Sequence, residues 1–551
     1  MKILFYNWVD YLDDEKRGGG VTVYQRNLIQ AMRAEQGISC TFLSSGISYD
    51  VLPNPPRWEQ VKHGATEDRN MRFEIVNSGV LSPAHHSFGD ERQVTDADTE
   101  AVFLDFLHKN GPFDVVHFNN LEGLPAGVLK LKEHFPETRV LFSLHNYYPV
   151  CPQVNLWHQE RENCVDFDQG RKCEHCLPHH HDVRVVELAN GVAFNLKKRG
   201  IRPGSKAFDR GFGPAMRFAG RAVRFYNRRF RKGATKPAVQ SLPGPSGSRL
   251  LRRVEGSHVK FARRRAAMVE AINTHCDHVL CVSDRVGVVA RKFGIAPDLI
   301  QTSYIGTQHA AKYAETTSQP TLTKPDGTLT IAYLGYMRQD KGFFFLLDTL
   351  EAAPDAIAEK INVVICSRLI DQHTMDRITR LSDRFASVLF ADGYAHDELD
   401  ELLADVDLGI IPVLWEDNLP QVAIEMHARH IPLLTSDLGG AQELGNTPDF
   451  VFKAGDSKDF VKKIEAMLGG EVWLEDYWKN AMAPYSMDDH VQELKDVYAQ
   501  PARSIALMPS APPEVEDETD TVTDAETIDD PFAGMTEEEV EATELKASQD
   551  G

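Results

Sequence analysis

Short apolar runs rich in β-branched residues, separated by stretches of helical periodicity, recur along most of this chain. They stand at residues 3–6, 115–118, 140–144 and 279–282, and again at 329–334, 363–366, 388–390, 408–411 and 433–434. Strands that alternate with helices need crossover connections, and crossovers leave a parallel sheet covered on both faces. The series breaks at residues 316–328, a stretch of Thr, Pro and Ser without periodicity that suits a linker. The expected fold class is therefore α/β with two parallel sheets: one domain over residues 1–315, a second over 329–485. With 551 residues, 42% of them hydrophobic, the chain can fill two or three ordinary cores. Ser486 to Asp489 reads as a helix start, and Val491, Leu494 and Val497 or Tyr498 form a stripe over residues 486–502 for docking on a neighbouring domain.

The net charge of −21 hides a segregation. A basic insertion spans about residues 183–270, densest from Lys197 to Arg265, whereas Glu514, Glu516, Asp517, Glu518 and Asp520 open an acidic tail over residues 503–551. Such a tail cannot bury enough apolar surface to offset its ordering entropy, so disorder is expected there. No apolar run approaches the roughly 18 residues of a membrane span. The start, Met1-Lys2-Ile3-Leu4-Phe5-Tyr6-Asn7, lacks the pattern of a signal peptide, and a cytoplasmic protein is expected.

Two stretches carry chemistry. Gly18-Gly19-Gly20 follows the first strand and precedes a helix with Tyr24, Leu28 and Met32 on one face, a place for either an anion-binding loop or a plain flexible turn. The stronger signal runs from Ile411 to Glu425. A strand ends near Pro412, Pro420 suits the first turn of a helix, and Asp417 and Glu425 can accept hydrogen bonds from sugar and ribose hydroxyls at a cleft suited to a diphosphate. Lys341, after the strand that ends at Gly335, is the candidate to neutralise the diphosphate.

These motifs together resemble family 4 of the retaining glycosyltransferases, from Met1 to about Tyr498 apart from the basic segment. The matching residues are Gly18 to Gly20, Asp114 to His117, Leu144-His145-Asn146, Val282-Ser283, Gly335, Lys341-Gly342, Gly393-Tyr394, Asp417 to Glu425, and Gly439-Gly440 with Glu443. The resemblance implies the GT-B fold: two Rossmann-like domains whose parallel sheets face a central cleft, the first domain toward the acceptor and the second holding a nucleotide-diphosphate sugar. It implies a glycosyltransferase acting on a lipid-linked or polysaccharide acceptor in bacterial envelope or exopolysaccharide synthesis. Glu425 would hold the nucleotide ribose and Asp417, with Glu416 beside it, the donor sugar; Asn418, Leu419 and Gln421 belong to the same donor element. Where the family pairs its lysine with an arginine directly after the strand glycine, this chain has Tyr336, and Arg338 two residues on. His145 corresponds to a histidine near the donor sugar, although a lone loop histidine also suits a structural role. Catalysis would rest on His145, Asp417 and Lys341 with front-face attack, charge stabilisation in place of a strong base, and no catalytic cofactor or divalent ion. The rivals are a sugar-nucleotide epimerase or phosphorylase of the same fold, and a non-catalytic scaffold.

Two further features lie outside that scheme. Cys151, Cys164, Cys173 and Cys176 suit either a structural zinc, with His175 and His179 to His181 as alternative ligands, or unliganded thiols. Arg217, Arg221, Arg224, Arg228 and Arg231 repeat at steps of four and three beside an aromatic stripe, as on a helix that lies on an anionic membrane. A solvated helix face is the alternative there, and no nucleic-acid partner is expected.

Overall fold

A computed structural model describes residues 1–13, 15, 17–177, 182–201, 205, 206, 208, 210, 212 and 258–504. Arg217, Arg221, Arg224, Arg228 and Arg231 lie outside the described residues, as do His179 to His181 and all of the acidic tail beyond residue 504.

The first sheet contains β1 (Lys2–Tyr6), β2 (Ser39–Ser48), β3 (Arg57–Gln60), β4 (Arg72–Val76), β5 (Val115–Phe118) and β6 (Arg139–Leu144). A small hairpin of β7 (Trp157–His158) and β8 (Glu162–Asn163) follows, and β9 (His278–Cys281) and β10 (Ile300–Thr302) complete the sheet. Its order is β10-β9-β6-β5-β1-β2-β4-β3, parallel except for the last pair. The second sheet holds β11 (Leu329–Leu334), β12 (Ile361–Ser367), β13 (Ser387–Asp392), β14 (Leu408–Ile411), β15 (Leu433–Ser436) and β16 (Val451–Phe452), in the order β13-β12-β11-β14-β15-β16, parallel throughout. The molecule is thus a two-domain α/β fold with parallel sheets, and the strands expected from apolar runs all exist. Those the runs did not mark, β2, β3, β4, β10 and β16, are polar, short or at sheet edges. The sequence of β2, Ser-Cys-Thr-Phe-Leu-Ser-Ser-Gly-Ile-Ser, is mostly small and polar, yet it is nearly all buried because β1 and β4 flank it.

Each central strand is buried along its length, as a sheet covered on both faces requires. One apolar cluster runs from Phe118, Phe142 and Val282 on the first sheet to Leu334, Ile411, Trp415 and Leu419 on the second. Each such side chain contributes about 1.5–3 kcal/mol by its burial, so this shared cluster holds the two sheets' carboxyl ends together. After the second sheet the chain returns to the first. Ser486 caps the helix Met487–Tyr498 by accepting a 3.0 Å hydrogen bond from the Asp489 N–H, and Val491, Leu494, Val497 and Tyr498 pack against Tyr24, Leu28 and Met32 of the helix Gly19–Ala34. Among the described residues no helix is long and apolar enough to cross a membrane.

Candidate functional site

The loop after β14 is folded tightly before it enters the helix Gln421–His427, with Pro420 one residue ahead of the first helical position. Two glycines make the fold possible. Gly439 takes φ of +74°, and a Cβ there would stand 2.3 Å from the Asp417 carbonyl oxygen; one on Gly440 would stand 2.3 Å from that of Asn418. The Gly440 N–H donates to the Asp417 oxygen at 2.9 Å. Asp417 is therefore not at the open mouth of a cleft but buried, 6% exposed, with Lys341 Nζ 2.6 Å from its Oδ2. That lysine also stands 5.1 Å from the Trp415 ring.

The neighbouring acid has a different partner. Glu416 binds Arg285 of the first domain through both guanidinium arms, at 2.8 and 2.5 Å, across 131 residues of sequence. Asn418 donates from Nδ2 to the Leu144 carbonyl at 3.1 Å and accepts at its own carbonyl from Ser283 Oγ at 2.8 Å. Leu419 is buried in the shared apolar cluster, and Gln421 Nε2 donates to the Gly20 carbonyl at 3.0 Å. These contacts join the ends of β6 and β14, and so the carboxyl ends of the two sheets meet at one site, as in the GT-B fold. The amides of Asn418 and Gln421 are engaged with the first domain. Arg338 is not beside Lys341's partner: its guanidinium clasps Asp340 at 2.8 and 2.9 Å with the side chain 57% exposed.

Glu425 is buried, at 3% exposure, which excludes a solvated helix carboxylate. Its Oε1 lies 3.4 Å from His396 Nδ1 and 3.8 Å from His309 Nε2, while its Oε2 has no hydrogen-bond partner. Burial pushes this carboxyl above the usual range, against the lowering effect of His396, Arg429 and the hydroxyl of Tyr394, which stands against it. Neither histidine was singled out in the sequence. His396 stands two residues after Tyr394 of the Gly393-Tyr394 motif, a faint signal; His309 carries none.

Across the cleft, His145 follows β6, with its Nε2 3.2 Å from Asn119 Oδ1 and its ring 4.9 Å from that of Tyr24. Burial and the nearby His490 lower its pKa to about 3, so the ring is neutral and can exchange hydrogen bonds with a hydroxyl but does not serve as an acid at neutral pH. Of the glycine triplet, Gly18 caps the helix, Gly19 takes φ of +56° and Gly20 brings its carbonyl to Gln421. Sequence reasoning also missed Glu122, whose buried carboxylate accepts from the Ala84 N–H at 2.7 Å and from Asn146 Nδ2 at 3.0 Å. Burial raises it to about 7. Glu443 ties the domains as well, accepting from the Asp284 and Arg285 N–H groups at 2.9 and 2.7 Å.

Cys151, Cys164 and Cys173 lie near Arg265, whose guanidinium lies 3.4 Å from the Phe167 ring centre, while Cys176 Sγ donates to Gln153 Oε1 at 2.9 Å. Burial pushes Cys164 up to about 11 and Cys173 and Cys176 up to about 12. Among the described residues, His309, His396 and Glu425 are the one group of three or more potential metal ligands whose atoms all lie within 4.8 Å of one another.

The chain is similar in structure to HepE of Anabaena, solved in complex with UDP (14% identity over 90% of this chain and 99% of that one, TM-score 0.49). It is similar also to sucrose-phosphate synthase of Thermosynechococcus elongatus (15%, 90% and 98%, 0.49) and to a UDP-forming trehalose-phosphate synthase of Burkholderia xenovorans (12%, 91% and 99%, 0.48). No curated protein matches it in sequence. Residues 328–469, which hold the second sheet, Lys341, Asp417 and Glu425, match the family model of the glycosyl transferases group 1.

Proposed function

We propose that the chain is a retaining glycosyltransferase of family 4 that moves a sugar from a nucleotide-diphosphate donor, held by the second domain, to a lipid-linked or glycan acceptor approached from the first. The reading is of an enzyme of bacterial envelope or exopolysaccharide synthesis, working in the cytoplasm at the inner face of the membrane. The observation that carries it is the pairing of Lys341, after β11, with Asp417 on the element that also carries the buried Glu425. In this reading Lys341 stabilises the charge that grows on the diphosphate as the glycosidic bond breaks, a charge-assisted contact that strengthens toward the transition state. Asp417 orients both that lysine and a donor-sugar hydroxyl. Glu425 takes the ribose hydroxyls on its unpartnered oxygen, and neutral His145 exchanges a hydrogen bond with the sugar. The leaving phosphate accepts the acceptor's proton, so no strong protein base is needed.

Incubation with a panel of nucleotide sugars in EDTA tests this. Release of free nucleotide from one donor class is expected, lost in Lys341→Ala. Tight nucleotide binding with no release from any donor, with or without acceptor glycans, would instead support a non-catalytic scaffold, a reading favoured by the way Asp417 already engages Lys341. A structural zinc on Cys151, Cys164, Cys173 and Cys176 is a separate proposal: Arg265, near three of them, would offset about half of the net charge of about −2 of a four-thiolate zinc. Elemental analysis of purified protein should then find zinc in stoichiometric amount.

A further inference from the structure

Three elements distant in sequence meet at Glu425. His309 precedes the helix Ala310–Glu315, His396 follows β13, and Glu425 lies in the helix Gln421–His427. Their ring planes and carboxylate converge: the two imidazole centres are 5.7 Å apart, and all three ligand atoms fall within 4.8 Å of one another. We propose that His309, His396 and Glu425 form a binding site for a divalent transition-metal ion of the zinc or cobalt type, at the place where the donor's ribose would sit.

The geometry is close to what such an ion requires. Metal bonds of about 2.1 Å at tetrahedral angles separate ligand atoms by about 3.4 Å. Here His396 Nδ1 is 3.4 Å and His309 Nε2 3.8 Å from the same Glu425 oxygen, and the two ring nitrogens lie within 4.8 Å of each other, so two of the three separations are already near that value. Two imidazoles and one carboxylate leave a further position for water or a ligand, and this donor set suits zinc, cobalt or nickel more than magnesium, which favours all-oxygen coordination. Glu425 supplies a second sign that it is short of partners: its side chain is buried, yet its Oε2 makes no well-formed hydrogen bond, the Tyr394 hydroxyl being the donor that stands near it.

The charge balance permits a cation. Arg429 is the nearest competing positive group, and its Nη1 donates to the Glu425 backbone carbonyl at 2.8 Å, but its other arms are taken by Asp400 at 2.7 and 2.9 Å. Lys312 is bound to the same Asp400 at 2.8 Å. The Glu425 carboxylate therefore has no full cationic partner of its own. Entry is open, because the His396 side chain is 61% exposed.

The consequence for turnover rests on the reading that Glu425 holds the ribose: the ion and the donor would then compete, and micromolar zinc would act as an inhibitor relieved by a chelator. The binding itself does not depend on that reading, and its test uses neither nucleotide nor sugar. Metal-free full-length protein is titrated with Co²⁺ in visible absorption. The bands of this site are expected to respond to the two histidines and to rise without any matching rise of a near-ultraviolet thiolate charge-transfer band, which would report the cysteine cluster instead. His309→Gln and His396→Gln should each weaken these bands' midpoint at least about tenfold, the loss that even an outer-sphere change commonly brings. The exposure of His396 makes its variant a safe one for folding, and unchanged thermal melting without metal confirms it. Absence of the bands in the wild-type protein, or an equal midpoint in the wild type and both variants, overturns the proposal. Should Co²⁺ bind as described while nucleotides fail to bind in EDTA, the metal site stands and the donor reading falls.

Discussion

Asp417 and Glu425 are eight residues apart on one element and equally buried, yet their surroundings are opposite. Asp417 has its countercharge in place: Lys341 is 2.6 Å away, and the glycine pair closes over its backbone. Glu425 has no full countercharge, only two histidines, the Tyr394 hydroxyl and an oxygen that makes no well-formed hydrogen bond. The contrast teaches that one acid is used to set a lysine, while the other is kept short of partners so that something else can supply them. A buried carboxylate without a partner costs stability, and such a cost is usually met where a ligand repays it.

The largest effect should come from breaking the satisfied end. Lys341→Ala removes the partner of a buried carboxylate and the contact to the diphosphate together, so nucleotide affinity should fall roughly ten- to hundredfold, the worth of a hydrogen bond to a charged group. Calorimetric titration with nucleoside diphosphates measures it. Adding Asp417→Ala to that variant should restore part of the lost stability but none of the affinity, because the orphaned charge goes while the phosphate contact stays absent. Unchanged affinity in Lys341→Ala would sink the assignment.

The comparison is sharpened by neutralising each acid without changing its shape. Asp417→Asn should lower the melting temperature, since Lys341 loses its partner. Glu425→Gln should leave it unchanged or raise it, because burial already disfavours the charged form. Nucleoside affinity should still fall in Glu425→Gln. Paired thermal melts decide: a fall of equal size in both variants would mean that the two acids are alike.

A further difference concerns pH. His117 and His490 are buried under the first sheet's contact with the last helix, the former 2.6 Å from the Tyr498 hydroxyl and the latter 2.8 Å from that of Tyr24. Burial lowers them to about 3 and about 4. Their folded pKa values lie below the unfolded one, so the unfolded chain binds more protons and stability falls as pH drops below about 6.5, by on the order of 1.4 kcal/mol per unit for each ring until its folded pKa is reached. Glu425, with a raised pKa, acts in the opposite direction and gains stability as pH falls through its folded value. Denaturant midpoints between pH 7 and 4 should therefore decline for the wild type, and less steeply for His490→Gln.

How much of this could be read from the sequence follows from where each signal lives. The central strands were legible because their runs are apolar without interruption, as burial on both faces demands. Strand β4, with Arg72 and Glu74 inside, was not, because its polar side chains find partners that sequence cannot show: Arg72 reaches Asp10 at 2.9 Å, and Glu74 accepts from Ser48 at 2.5 Å. Lys341 and the acids of the donor element were marked by glycines and prolines at short spacing. The pairs that give those acids their character, Arg285 with Glu416 and the histidines with Glu425, come from separate elements, and only the tertiary fold assembles them.

The smallest expected effect is at Arg338, and it bears on how the donor's phosphates are held. Directly after the strand glycine, where the family resemblance implies an arginine, this chain carries Tyr336, 65% exposed. Arg338 could substitute only by leaving Asp340, a buried carboxylate that it binds through two hydrogen bonds. Only the arginine's end of the pair is exposed, so Arg338→Ala takes a partner from a buried carboxylate and should lower the melting temperature modestly. Its effect on nucleotide affinity should stay within about threefold, against the much larger loss in Lys341→Ala, because an already engaged guanidinium gains little by exchanging one anion for another. Titration of both variants under the same conditions makes the comparison. If Arg338→Ala weakens the nucleoside diphosphate as much as Lys341→Ala while leaving the nucleoside monophosphate unaffected, the arginine swings from Asp340 to the terminal phosphate on binding, and the two cations hold the diphosphate jointly in place of Lys341 alone.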